Sequence, residues 1–228
     1  MKIAVCLSGH LRQFEQTLPT LHFYLLRNYD CDIFLSTWDK MGYACRYKTD
    51  QRQDTTSHYL TQIEQHLKPK KMVVEDSNFV EELIHQGNEY APHLRNEPKH
   101  VGHMASMFYK IYAANELRKR YELESGIKYD WIVRCRPDLM FHQAVSLPTI
   151  QKDKVIYLPK SQCSPGWFND QFAIALPSDM DLYSSFFFHM PEYFKARNEF
   201  YPEKFMDWSL KKKGLIPEML DVHFAIHR

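Results

Sequence analysis

The residues best suited to chemistry stand together in mid-chain, in the run Y-D-W-I-V-R-C-R-P-D-L-M-F (129–141). An apolar, strand-like segment gives way to Arg134, Arg136 and Asp138, so charges of both signs emerge where a core strand ends. Pro137 donates no ladder hydrogen bond and fixes its own φ, which holds Asp138 at a set angle. A carboxylate in that position can bind a divalent cation through oxygen, and the arginines can neutralise phosphate. The plainer alternative is an internal Arg–Asp ion pair. Buried charge is costly without a partner, so that alternative accounts for one arginine better than for two.

Other candidates lie where further apolar runs end. In S-G-H-L-R (8–12), Ser8 and Gly9 let backbone N–H groups approach an anion, and His10 and Arg12 add charge. An ordinary strand-to-helix turn explains this motif equally well. Neither G-x-G-x-x-G nor a P-loop is present. Asp39 closes a second run and can bond a ribose, although Asp is also a common turn residue. Lys110 sits on a stripe of small and polar residues with Ser106 and Ala114, from which its ammonium can reach phosphate; a solvated surface lysine is the alternative. Asp170, in W-F-N-D-Q (167–171), suits a general base beside a ring that Trp167 offers to a sugar, while Asn-Asp is also a plain turn dipeptide.

Composition narrows the field. The chain has 228 residues, with 29 Lys+Arg against 28 Asp+Glu, a balance too even to hold DNA or an anionic membrane non-specifically. Hydrophobic residues make up 44%, enough to fill a large core. Cys6, Cys31, Cys45, Cys135 and Cys163 form no C-x-x-C pair, which predicts free thiols and neither a zinc site nor a nucleophile. No apolar run approaches a membrane span, and the N-terminal run is too short for a signal peptide. The expected location is cytoplasmic or peripheral at a membrane; Lys211–Lys213 reads as a solvated helix end, with an anionic lipid carrier as the alternative it would face.

Elements to position these residues alternate along the chain. Strand-like runs occupy Lys2–Ser8, 31–39, Lys71–Glu75, Tyr129–Arg134, Val155–Leu158, Phe172–Leu176 and Val222–Ile226. Helical spacing marks 14–28, with the helix expected to start near Pro19, then 57–67, a long segment from Met104 to Tyr121, 178–190 and 202–213. Glu81–Lys99 reads as irregular. The pattern predicts one domain over 1–228, a three-layer α/β fold with a mostly parallel central sheet and crossover helices. Ligands bind such sheets beyond the carboxyl ends of the strands, where the candidate residues lie.

Arg134–Phe141, R-C-R-P-D-L-M-F, resembles the metal-binding turn of GT-A-fold glycosyltransferases. It is most similar to a polysaccharide-biosynthesis branch with R-x-R-P-D-L-x-F. S-G-H-L-R, D-I-F-L-S-T-W-D (32–39), M-F-Y-K-I-Y-A-A-N (107–115) and W-F-N-D-Q-F (167–172) follow the same order, so the resemblance spans nearly the whole chain. It implies a GT-A-like, Rossmann-related fold and transfer of a sugar from a nucleotide-sugar donor to a glycan or saccharide acceptor; inversion is expected because one base, and no paired nucleophile and acid, is found. Asp138 takes the place of the second Asp of D-x-D and Arg136 that of the first, which leaves dependence on Mn²⁺ or Mg²⁺ open. Ser8, Gly9, Arg12, Lys110, Arg134, Arg136 and Asp138 are the implied donor-binding set. Asp138 and Asp170 are the catalytic pair, Asp170 as base, and His223, with His227 on the same strand face, is the late histidine for a metal. A non-catalytic nucleotide- or sugar-binding α/β module, for instance one domain of a longer protein, is the alternative. A methyltransferase fits worse, since Gly9 stands alone.

Overall fold

In β1 (Lys2–Ser8) all residues after Lys2 are buried, the mark of a strand covered on both faces. The computed structural model of the chain describes residues 1–40, 57–76, 78–79, 82, 98–160, 168–197 and 201–227. Trp167, Cys45, Cys163 and most of the stretch Glu81–Lys99 lie outside the described residues. β1 has β2 (Asp30–Trp38) on one side and β4 (Trp131–Cys135) on the other, both parallel to it, and β3 (Lys71–Glu75) extends the sheet beyond β2. The full order is β3-β2-β1-β4-β7-β6-β8, with β6 at Val155–Pro159, β7 at Phe172–Ala175 and β8 at Ile216–Leu220. Only β7 runs against its neighbours. A two-stranded ladder of β5 (Leu139–Phe141) and β9 (Phe224–Ile226) stands apart.

Strand alternation sorts the apolar side chains into two cores. Ile3, Val5, Leu7, Val133 and Ile174 face α1 (Phe14–Tyr24), α2 (Ser57–Leu67) and the β5–β9 ladder. Ala4, Cys6, Ile132 and Ala173 face α3 (Pro98–Ser125), α4 (Pro177–Ser184), α5 (Met190–Ala196) and α6 (Pro202–Lys213). The result is the expected three-layer arrangement, a mixed α/β fold with a mostly parallel seven-stranded sheet. Burial drives the thiols of Cys6, Cys31 and Cys135 up to about 12, so none is a ready nucleophile.

The departures from the sequence reading have local causes. α1 begins at Phe14 and carries Pro19 inside it, because a single missing N–H costs less than the burial of Phe14 and Thr17 returns. α3 starts at Pro98, ahead of the apolar spacing, with proline at its first position. β5 and β8 were not expected as strands, since one is three residues long and the other carries Pro217 at an exposed edge. The helix expected over 178–190 splits at a 3₁₀ turn, Ser185–His189.

The chain leaves β1 through Gly9, whose φ of +120° suits only glycine, and Gly9 N–H donates to Ser36 O at 3.1 Å. No atom would meet an added Cβ, so the cost of a side chain there is conformational alone. Gly9→Ala is expected to lower the unfolding free energy by about 1–3 kcal/mol in urea titration.

Candidate functional site

Antiparallel pairing brings two distant segments together. Cys135 lies opposite Phe172, so the exit of β4 meets the entry of β7, and Arg136 N–H donates to Gln171 O at 3.2 Å. The exits of β1, β2 and β3 lie at this same end of the sheet, because those strands run parallel to β4. Every residue of the candidate donor set except Lys110 therefore belongs to a strand end or the turn after it.

Asp138 is 0% exposed. Arg136 grips its carboxylate with two bonds, Nε to Oδ1 at 2.9 Å and Nη2 to Oδ2 at 2.7 Å, and Arg12 Nη1 adds a third at 2.5 Å. Buried Leu11 anchors the turn, and Arg12 has φ +46°, a left-handed conformation unusual outside glycine. The backbone around the acid is equally fixed. Thr17 Oγ donates to Pro137 O at 2.6 Å, and His227 N–H donates to Asp138 O at 2.9 Å. Burial by itself would raise the Asp138 carboxyl, but Arg136 and then Arg12 outweigh it and hold the group below the usual carboxylate range.

Arg134 points to the opposite face of the sheet and is 1% exposed. Its Nε donates to Ser8 Oγ at 3.3 Å and its Nη1 to the Asp170 carbonyl, which joins the β1 turn to the β7 turn, while its buried Nη2 has no acceptor among the described residues. Asp170 is 7% exposed, and no described residue donates a hydrogen bond to its carboxylate. Among the described residues, the corner thus sets three guanidinium groups near the carboxylates of Asp138 and Asp170.

Lys110 has a different setting from either expectation. It is 0% exposed, and its Nζ donates to Thr37 O and Glu75 Oε2, both at 2.6 Å, with the Trp38 ring centroid 3.8 Å away. Tyr109 OH donates to the other Glu75 oxygen at 2.5 Å. Lys110 therefore fastens the exits of β2 and β3 to α3, and burial brings its ammonium down to about 8 against the opposing pull of Glu75. Glu75 was missed in the sequence, although the rule of looking beyond each strand would have found it.

The β5–β9 register places His227 beside Asp138 and His223 beside His142, at the far end of the ladder. The side chain of His223 is 66% exposed and lies 3.4 Å from Asp221. Both Asp138 oxygens are held by guanidinium groups, and among the described residues no three His, Cys, Asp or Glu side chains converge as metal ligands. A divalent cation at Asp138 would displace two arginines, and no set of three ligands converges on it among the described residues, so this donor set does not fit one.

The fold and this cluster define a mixed α/β protein, compatible with a Rossmann-like sheet, that gathers charge at the carboxyl ends of its strands. The chain belongs to the family described as domain of unknown function (DUF7796), whose model matches residues 1–182. No curated protein matches it. Among the described residues, no helix is long and apolar enough to cross a membrane.

Asp138→Asn would leave two partly buried guanidiniums short of a counter-charge. We expect it to destabilise the fold by about 3–5 kcal/mol in chemical denaturation. Lys110 titrates near 8 in the folded chain and near 10.5 when unfolded, so between these values the unfolded state binds more protons. Wild-type stability, measured relative to Lys110→Met, should therefore rise as pH climbs through this window, by on the order of 3 kcal/mol in total. A flat difference would show that burial does not depress Lys110.

Proposed function

We propose that the chain is a nucleotide-sugar-dependent glycosyltransferase whose arginines, in place of a metal ion, receive the donor diphosphate. One observation carries this reading. Arg12, Arg134 and Arg136 collect around the β1 turn and the β4 exit, and among the described residues the buried Nη2 of Arg134 has no acceptor. A buried donor in this state is expensive unless an anion completes it. The Ser8–Gly9 turn adds a backbone that a phosphate can approach closely.

In this scheme Asp138 aligns Arg12 and Arg136, and Arg134 fixes the turn that carries Asp170. The acceptor hydroxyl attacks the anomeric carbon in line with the departing diphosphate. The bond from that carbon to the diphosphate oxygen breaks, its electron pair leaves with the diphosphate, and Asp170 takes the hydroxyl proton. Charge grows on the leaving group, where fixed guanidiniums stabilise the transition state more than the ground state. A single base and no paired nucleophile favour inversion.

The engagement of Arg12 and Arg136 with Asp138 favours a second reading, a module that binds a nucleoside diphosphate without turnover. Thermal unfolding against a panel of nucleoside diphosphates and nucleotide sugars, with Mn²⁺ or with a chelator, tests both. Binding at about 100 times Kd adds about 2.7 kcal/mol of stability. That corresponds to a rise of about 5–10 °C for a chain of this size. We expect this rise with a diphosphate in the presence of chelator, together with release of free nucleotide from the sugar donor when acceptor is added. A rise without turnover supports the binding module, and no rise with any diphosphate overturns both.

A further inference from the structure

Beneath α3, three hydrogen-bond donors gather on one face of the sheet. Ser8 and Ser36 are register partners on β1 and β2, so their side chains leave the sheet on the same face as Cys6 and Phe34. Arg134 reaches this face from β4, on the other side of β1, and its Nε donates to Ser8 Oγ at 3.3 Å. Nε and Nη2 share one edge of the planar guanidinium, so an Nη2 N–H points the same way, toward the side where the two serines stand. Among the described residues, Ser36 Oγ and Arg134 Nη2 have no hydrogen-bond partner, and the Ser8 hydroxyl, which accepts from Arg134, keeps its own proton to give. Ser8, Ser36 and Arg134 are 1%, 0% and 1% exposed. Arg134 thus brings a full positive charge into a closed space. Asp170 bonds it through the backbone carbonyl, while the Asp170 carboxylate acts on it only from farther off.

We infer that Ser8, Ser36 and Arg134 form a buried receptor for one small anion of the chloride class, held between α3 and the exits of β1, β2 and β4. A water would answer the three donors but leave the guanidinium charge unmatched. A monatomic anion does both, accepting from the hydroxyls and the N–H while it cancels the charge. Closure excludes larger anions from this position. Arg12 and Arg136, with side chains 19% and 14% exposed, stay open to a diphosphate. The receptor therefore goes beyond the transfer reading. Its ion would tie β2 to β4 across β1 and so fix the strand exits behind the Asp138 corner.

Thermal unfolding of the full chain in sodium chloride, sodium bromide and sodium gluconate at matched ionic strength tests the receptor with halide alone. Chloride and bromide should raise the melting temperature along a saturating curve, by about 5–10 °C at about 100 times the half-saturating concentration. Gluconate, too large to enter, should not. Ser36→Ala removes one donor and should raise the half-saturating halide concentration about tenfold or more. Should that variant fail to fold, anomalous scattering from bromide in wild-type crystals locates the ion: density between Ser36 and Arg134 supports the receptor, and bromide only at the surface overturns it. Equal unfolding in halide and gluconate, or a halide effect that Ser36→Ala leaves unmoved, also overturns it. A halide rise with none from any nucleoside diphosphate overturns the transfer reading and leaves the receptor standing.

Discussion

A carboxylate held dry between two guanidinium groups is the constraint on which the functional end of this sheet depends. Asp138 keeps its charge only because Arg136 and Arg12 bond both oxygens. Those arginines occupy their positions only because the backbone that delivers them is fixed. Leu11 in the core commits the β1 turn, and the left-handed Arg12 turns its side chain back toward the corner. Thr17 holds the Pro137 carbonyl from α1, and His227 holds that of Asp138 from the chain's last ladder. Each contact is modest, but together they leave the ion cluster one arrangement, and low dielectric makes that arrangement costly to abandon.

The two faces of the sheet divide the work. Arg12, Arg136 and Asp138 form one knot of charge, while Arg134 reaches the other face to join Ser8 and the Asp170 turn. Lys110 does for β2 and β3 what Arg134 does for β1 and β7, bonding a strand-end carbonyl and a carboxylate from a helix laid across the sheet. A buried lysine at that junction costs more than an apolar side chain would. Its bonds to Thr37 and Glu75 set the registry of these strand ends against α3.

The layer architecture was legible because buried parallel strands read as continuous apolar runs: Lys2–Ser8, Lys71–Glu75 and the 57–67 helix lie where periodicity puts them. The reversed direction of β7 was not legible, since alternation carries no sign, and that reversal is what sets Asp170 beside Arg136. The R-P-D corner could be read as a place of paired charge, but Arg12 as its second cation could not, because the contact spans 126 positions of sequence. Burial of Lys110 was hidden for a related reason. Its stripe of small residues shows which helix face it shares, whereas the carboxylate of Glu75 that admits its charge comes from another strand. β5 and β9 are three residues each, too brief for any pattern, and so the exchange of His223 for His227 beside Asp138 followed from register alone.

The short ladder between β5 and β9 also orders events during synthesis. Leu139–Phe141 emerge from the ribosome long before Phe224–Ile226 exist to pair with them, and the bond from His227 to Asp138 cannot form before residue 227 is made. Until then a nascent chain displays an acid and two arginines on a corner still open on one side.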